Sequence, residues 1–357
     1  MQLIALIATA LAGGDVSTRV DVYSDGYVEV VMPAASADFR RGRFSGRGAY
    51  TADVLSGATT VIEADAISSA TTWDETRHQV DLSAEVGAES AVGGGYTLTR
   101  EPDYRAHTGT AALRQELFES MSTLSLSYGL TLGSGGRAGL EHTWERTIDQ
   151  QVDASWSQIL GRGTVGELLL TGSTARCGEQ RGCLSNPYRF VLIENEAGEA
   201  IAVLERNPSA LSRGAAAVRL AQVAWPGAAV HVGYRYYRDS WGIAGHTGDL
   251  SVRQQLLDDR LLLKASGRRA DQGGASFVRD EYVADALSVP AYRSADREIA
   301  GLAHTLAAGR AEWSWYGLGP FVRLGVSARY SRLWFHYDLD GQRRNASLAG
   351  AGVTGEL

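Results

Sequence analysis

STLSLSYGLTL, residues 122–132, alternates without a break. Leu124, Leu126, Tyr128, Leu130 and Leu132 fall on one side of an extended chain, and Thr123, Ser125, Ser127, Gly129 and Thr131 on the other. A period of two belongs to a pleated strand, where successive side chains point to opposite faces. The pattern recurs in PFVRLGVSARY (320–330), AVHVGYRYY (229–237) and RHQVDLSAEV (77–86). A soluble sandwich, with one face buried and one wet, would alternate in the same way. Here the polar face is made of Gly, Ser and Thr with scattered charges, which suits the inside of a barrel whose apolar face meets lipid. The alternating segments are also long enough, since roughly 9–11 residues of tilted strand cross a bilayer.

The rest of the 357-residue chain agrees with that reading. Glycine is frequent at 42 residues, proline scarce at 7, and no low-complexity linker divides the sequence, so a single large all-β domain is expected over residues 13–357. The net charge of -7 gives no reason to expect nucleic acid. Residues 1–12, MQLIALIATALA, read as a signal peptide: the apolar run from Leu3 is too short to span a bilayer, and Ala10-Leu11-Ala12 offers small residues for cleavage. The segment carries no Lys or Arg, a departure from the usual pattern. With no other long apolar run, any membrane passage must be by strands closed into a barrel.

The connections take turns between short and long. RRGR (40–43), AESAV (88–92), ESMS (119–122), GRGT (161–164), PGAA (226–229) and LDDR (257–260) are tight, whereas 55–76, 134–148, 175–212 and 271–295 are long. Tight turns at one end and long loops at the other are the habit of outer-membrane barrels, which have an even number of strands. Counting predicts sixteen, with fourteen the alternative. The second span is placed at 35–40, the fourteenth at 296–307, and a connection at 307–319.

One stretch is nearly duplicated: HTGTAALRQELF (107–118) and HTGDLSVRQQLL (246–257). Each copy reads as a strand returning from the long-loop rim. His107 and His246 lie on the apolar face at that rim, while Arg114 and Arg253 lie on the lumen side. The repeat is a hairpin brick and needs no catalytic explanation.

RVDVYSDG (19–26), DETRH (74–78), EPDYRAHT (101–108), RFVLIENEAGEAIAVLERNP (189–208), YRYYRDSWGIAGHT (234–247) and AYRSADREI (291–299) resemble signatures of the domain-of-unknown-function family 3570 of bacterial outer-membrane β-barrel proteins. The likeness runs from about Arg19 to the end of the chain. It implies an exported barrel of uncharacterised activity, sometimes encoded near extracytoplasmic redox proteins, and it supplies no catalytic residues to carry over.

Few residues invite chemistry. Cys177 and Cys183, close together in the longest loop, are expected to form a disulfide in an oxidising compartment, and no further ligands nearby suggest a metal site. His78, His107 and His246 near one rim could serve a metal, but nothing in the sequence fixes their mutual distance, and hydrogen bonding at the barrel neck is the plainer reading. No Ser-His-Asp order, phosphate loop or zinc spacing stands out, so no enzyme, cofactor or metal is expected. An outer-membrane hydrolase is the remote alternative. The candidate lumen-lining charges are Arg47, Asp53, Asp81, Glu85, Arg114, Glu116, Asp153, Glu167, Arg219, Arg235, Arg253, Lys264, Arg323 and Arg329. They line a polar pore, or they neutralise one another in a salt-bridge network that stiffens the wall. Trp156, Trp225, Trp241, Trp334 and Tyr337 are expected in interfacial girdles.

The sequence therefore predicts an all-β, antiparallel transmembrane barrel of about sixteen strands in a bacterial outer membrane. The leading function is a porin-like passive channel for small polar solutes. The alternative is a structural or partner-binding sleeve of an envelope complex, linked to a periplasmic, surface or redox protein.

Overall fold

The computed structural model describes residues 14–26, 28–57, 75–194, 200–279, 282–283 and 290–357; the expected signal peptide at 1–12 lies outside them. The strands, in chain order, are β1 (Gly14–Ser24), β2 (Val28–Arg41), β3 (Phe44–Gly57), β4 (Glu75–Gly87), β5 (Ser90–Arg100), β6 (Tyr104–Leu117), β7 (Ser122–Gly135), β8 (Glu145–Gly161), β9 (Thr164–Cys177), β10 (Phe190–Glu194), β11 (Ala200–Leu204), β12 (Ala210–Trp225), β13 (Ala228–Asp239), β14 (Ala244–Leu256), β15 (Leu261–Gln272), β16 (Tyr282–Val283), β17 (Leu302–Leu318), β18 (Phe321–Tyr337) and β19 (Arg343–Glu356). Sixteen of them close into one antiparallel barrel, each paired with its neighbour in sequence, and β1 seals the ring against β19 from Asp15↔Glu356 to Ser24↔Ser347. The remaining three, β11-β10-β16, form a small separate sheet built from the long loops. No helix among the described residues is long and apolar enough to cross a membrane, which says nothing about crossing by strands.

Closure decides what the alternation means. Leu124, Leu126, Val322 and Val326 keep 44%, 50%, 59% and 42% of their surface accessible, so no second sheet covers them. A belt of large apolar side chains left open on the outer face of a closed wall has no stable home in water. It fits a hydrocarbon surround, and the sandwich reading is excluded.

Three boundaries differ from the sequence reading by more than five residues, one of them the start of the fourteenth span, which is Leu302 and not residue 296. β2 begins at Val28, not near residue 35. The β2–β3 ladder passes from Val31↔Val54 to Ala34↔Thr51 and leaves Met32 and Pro33 out of it, which accommodates a residue that lacks a donor. The segment expected as a connection at 307–319 is strand: β17 runs to Leu318 and turns tightly into β18 at Leu318↔Phe321. Residues 310–315 alternate Arg310, Glu312, Ser314 against Ala311, Trp313, Trp315, and the full register with β18 absorbs them.

The duplicated stretch is duplicated in conformation too. After the first copy Phe118, Glu119 and Ser120 have φ of 54°, 54° and 63°; after the second Leu257, Asp258 and Asp259 have 55°, 54° and 64°. Three consecutive non-glycine residues in the left-handed region are unfavourable by about 1–2 kcal/mol each, so the turn is held by the hairpins it joins.

Candidate functional site

Pairing registers place every candidate lumen charge on the face opposite the apolar belt. Two cross-strand rows stand out on that inner face. One runs Asp81, Thr97, Thr108, Thr131, Asp149 across β4 to β8. Thr97 Oγ1 donates to Asp81 at 2.7 Å, Thr108 and Thr131 share a hydrogen bond of 2.7 Å, and Arg213 reaches Asp149 at 2.6 Å. The other runs Arg253, Lys264, Arg310, Arg329 across β14, β15, β17 and β18. In the ring order β6 and β17 stand eight strands apart in both directions, as do β5 and β15, so the two rows lie on opposite sides of the ring. They lie at different depths, because Arg253 and Lys264 stand near the short-turn ends of β14 and β15 whereas Thr97, Thr108 and Thr131 stand well up β5, β6 and β7.

Most of the charges are engaged along the wall. Arg47 pairs with Asp38 at 3.3 Å, Arg77 with Asp53 at 3.7 Å, and Arg219 with Glu167 at 3.4 Å. Arg114 bridges Glu85 at 2.9 Å and also contacts Glu116. Arg323 and Arg310 share Glu312 at 2.7 and 2.8 Å, and Arg329 holds Asp21 at 2.6 Å. Asp153 accepts from Thr171 at 2.7 Å and Gln151 at 2.8 Å. Arg235 lies over the Tyr237 ring at 5.6 Å. Arg253 and Lys264 have no ion pair among the described residues and are exposed to the lumen. The wall is thus a salt-bridge network with an unneutralised sector, and neither sequence alternative describes it alone. At the short-turn end a cavity of about 610 Å³ opens beside Asp15, Asp38, Arg47, Ser83, Glu85 and Thr110.

The sequence reading did not single out Asp21, Asp149, Arg213, Arg310 or Glu312. Each sits on the same alternation, but Arg310 and Glu312 fell in the misplaced connection and Asp149 and Arg213 at segment edges. Extending the period-two count through 308–318 would have found the first pair.

The histidines belong to the outer face. The Tyr50 hydroxyl meets His78 Nδ1 at 2.8 Å, Tyr96 meets His107 at 2.6 Å, and Tyr234 meets His246 at 2.6 Å. Each pair is diagonal across one hairpin, and the three hairpins are separate, so the imidazoles are not brought to one point. No group of three or more His, Cys, Asp or Glu among the described residues is placed to hold a metal ion. Trp156, Trp225 and Trp334 stand exposed on the outer face, where Trp156 Nε1 donates to Ser122 at 2.9 Å and Trp225 Nε1 to Gln254 at 2.6 Å. Trp241 and Tyr337 do not join them. They are 4% and 0% exposed: Trp241 packs in a loop cluster, and Tyr337 points inward, because odd-numbered residues of β18 face the lumen.

The long-loop end is a packed cap. Cys177 and Cys183 are joined by a disulfide, and Cys183 is buried with Ala175, Leu211, Trp241, Ile243, Ala275 and Ile299. Two residues before Ile299, Arg297 lies over the Tyr337 ring at 5.8 Å and pairs with Asp340 at 2.6 Å, so one link ties this cluster to the β18 wall. Behind the small sheet, Glu205 is fully buried; it accepts from Ser294, from the Asn186 backbone at 2.8 Å and from Arg189 at 3.3 Å. Burial pushes the Glu205 carboxyl above its ordinary range, against the pull of Arg189. For Arg189 burial works against the charge, but the Asp296 and Glu205 carboxylates outweigh it and hold the guanidinium protonated more firmly than usual.

Residues 137–308 match the model of the family described as "Protein of unknown function (DUF3570)", the family that the sequence motifs resemble; the match contains the motifs at 189–208, 234–247 and 291–299. No curated protein matches the chain. Among solved structures the chain is similar to one described as a bacterial polysaccharide outer membrane secretin, with a TM-score of 0.53 and 7% identity over 96% of this chain and 98% of that one. It is also similar to CdiB from Acinetobacter baumannii, with a TM-score of 0.53 and 9% identity over 96% of this chain and 60% of that one. At such identities the likeness is one of fold, and the fold is that of outer-membrane β-barrels.

Proposed function

We propose that the chain is exported by its N-terminal signal peptide, inserts in a bacterial outer membrane and serves as a passive conduit for small polar solutes. The carrying observation is the closed sixteen-strand wall whose inner face is charged and hydroxyl-bearing over much of its area. At the long-loop end of β1, β2, β18 and β19 that face instead holds a buried apolar cluster around Tyr23, Val28, Leu333, Phe335 and Tyr337, which narrows the conduit there. Barrels of this strand number leave an aqueous interior. The short turns and both described termini then face the periplasm, and the cap faces outward. A conduit needs no catalytic group, and the solute need only exchange its hydration for the wall's fixed charges. Steady single-channel conductance of the purified protein in planar bilayers tests the reading; a persistently silent bilayer overturns it.

The second reading, a partner-binding barrel of an envelope complex, draws on the cap. Phe190 and Leu192 on β10 are 50% and 67% exposed beside Leu204 of β11, an apolar strip on the small sheet. Silence in the bilayer together with stoichiometric co-purification of a surface or periplasmic protein favours it over the conduit.

A further inference from the structure

We propose that the lumen selects small oxyanions, carboxylates or phosphates, and that the row Arg253, Lys264, Arg310, Arg329 is their track; this rests on the conduit reading above.

Cross-strand neighbours have Cβ atoms about 5 Å apart, and like charges placed directly opposite repel. Four consecutive cations in one row are therefore unfavourable for the folded wall unless something compensates them. Half of the row is compensated internally: Arg329 by Asp21 and Arg310 by Glu312. The other half is not. Arg253 and Lys264 stand opposite one another, exposed, and form no ion pair among the described residues; Glu312, diagonal to Lys264, is engaged by Arg310 and Arg323. Arg268, four residues further along β15, is exposed as well and stands opposite Asp249, so it is balanced across the ladder. A low-dielectric wall focuses the field of such a sector into the lumen and concentrates counter-ions there. Carboxylate and phosphate oxygens are the groups that guanidinium and ammonium donors bind best.

Net charge does not foretell this, because the chain as a whole is acidic at -7.

The test compares the wild-type barrel with the double variant Arg253→Gln/Lys264→Gln, whose positions are exposed and unpaired, so that the wall network stays intact. Lys264→Gln alone serves if the double variant fails to fold. Reversal potentials in a potassium chloride gradient should show chloride preferred over potassium in the wild type. The ratio should fall about fourfold in the variant, from removal of charge near the ion path in water-like dielectric with partial screening. A wild-type preference for potassium, or an unchanged ratio, overturns the proposal. A silent bilayer overturns the conduit reading alone. Calorimetric titration of the detergent-folded protein with gluconate and, separately, inorganic phosphate then decides the track. Binding heat that disappears in the variant supports it and names the preferred oxyanion, whereas no heat in the wild type with either probe sinks it.

Discussion

Replacing Leu126 by arginine places a charge on the outer face of β7, and replacing its neighbour Ser127 places the same charge in the lumen. A strand rising about 3.3 Å per residue and tilted about 40° climbs roughly 2.5 Å per residue along the barrel axis. Leu126 lies two residues beyond Leu124, the cross-strand partner of Trp156, and is therefore about 5 Å inside the level of that ring. In an apolar band about 25 Å tall this is inside the hydrocarbon but short of its midplane, where arginine costs about 2–4 kcal/mol. The expected cost of Leu126→Arg is about 2 kcal/mol, near 30-fold in the folding equilibrium. Ser127 stands opposite Asp153 on the inner face, and Ser127→Arg should change stability by less than about 0.5 kcal/mol. Urea unfolding of the vesicle-inserted protein, followed by tryptophan fluorescence, measures both. If Ser127→Arg proves the costlier change, the faces have been assigned the wrong way round.

Three further outcomes follow from the outer face and the cap. Tyr234→Phe removes the hydrogen-bond partner of His246 Nδ1 on the outer face, and should destabilise the vesicle-inserted barrel by about 1 kcal/mol; a double-mutant cycle with His246→Ala isolates that coupling. Cys177→Ser/Cys183→Ser opens a short loop, for which loop-closure entropy gives about 2 kcal/mol, so proteolysis within 178–209 should quicken while the barrel's unfolding midpoint holds. Because burial raises the folded-state pKa of Glu205 above its unfolded value, its contribution is complete in acid and is lost as pH rises through the folded value. Protease sensitivity of the cap should then increase as pH rises above the ordinary carboxylate range, and Glu205→Gln should flatten that dependence; an equally steep profile in the variant would show that another group titrates.

Period two, read along one chain, was enough for the strands and their two faces. In STLSLSYGLTL each side chain's face depends only on its parity, and the exposed belt through Leu124 and Leu126 follows from that parity once the sheet closes. The rhythm of short and long links supplied the even strand count for the same local reason, since a tight turn needs only adjacent residues. Where a local signal conflicted with pairing, pairing won. The second span was placed at 35–40 although pairing with β1 and β3 carries β2 back to Val28, and the run through Arg310 and Glu312, expected as a connection, is strand because β18 pairs with it.

Parity alone also assigned Arg253 and Lys264 to the lumen, as it did Glu167 and Arg219, but it left the axial alignment of different strands open. Register is a property of pairs: only the tertiary structure decided that Arg253 meets Lys264, that Lys264 meets Arg310, and that Arg310 meets Arg329. The same holds for Trp241 and Tyr337, aromatic residues at strand ends whose burial depends on loops arriving from elsewhere in the chain. A strand's two faces are written in its own residues, whereas the neighbours it will have are set by closure of the whole ring.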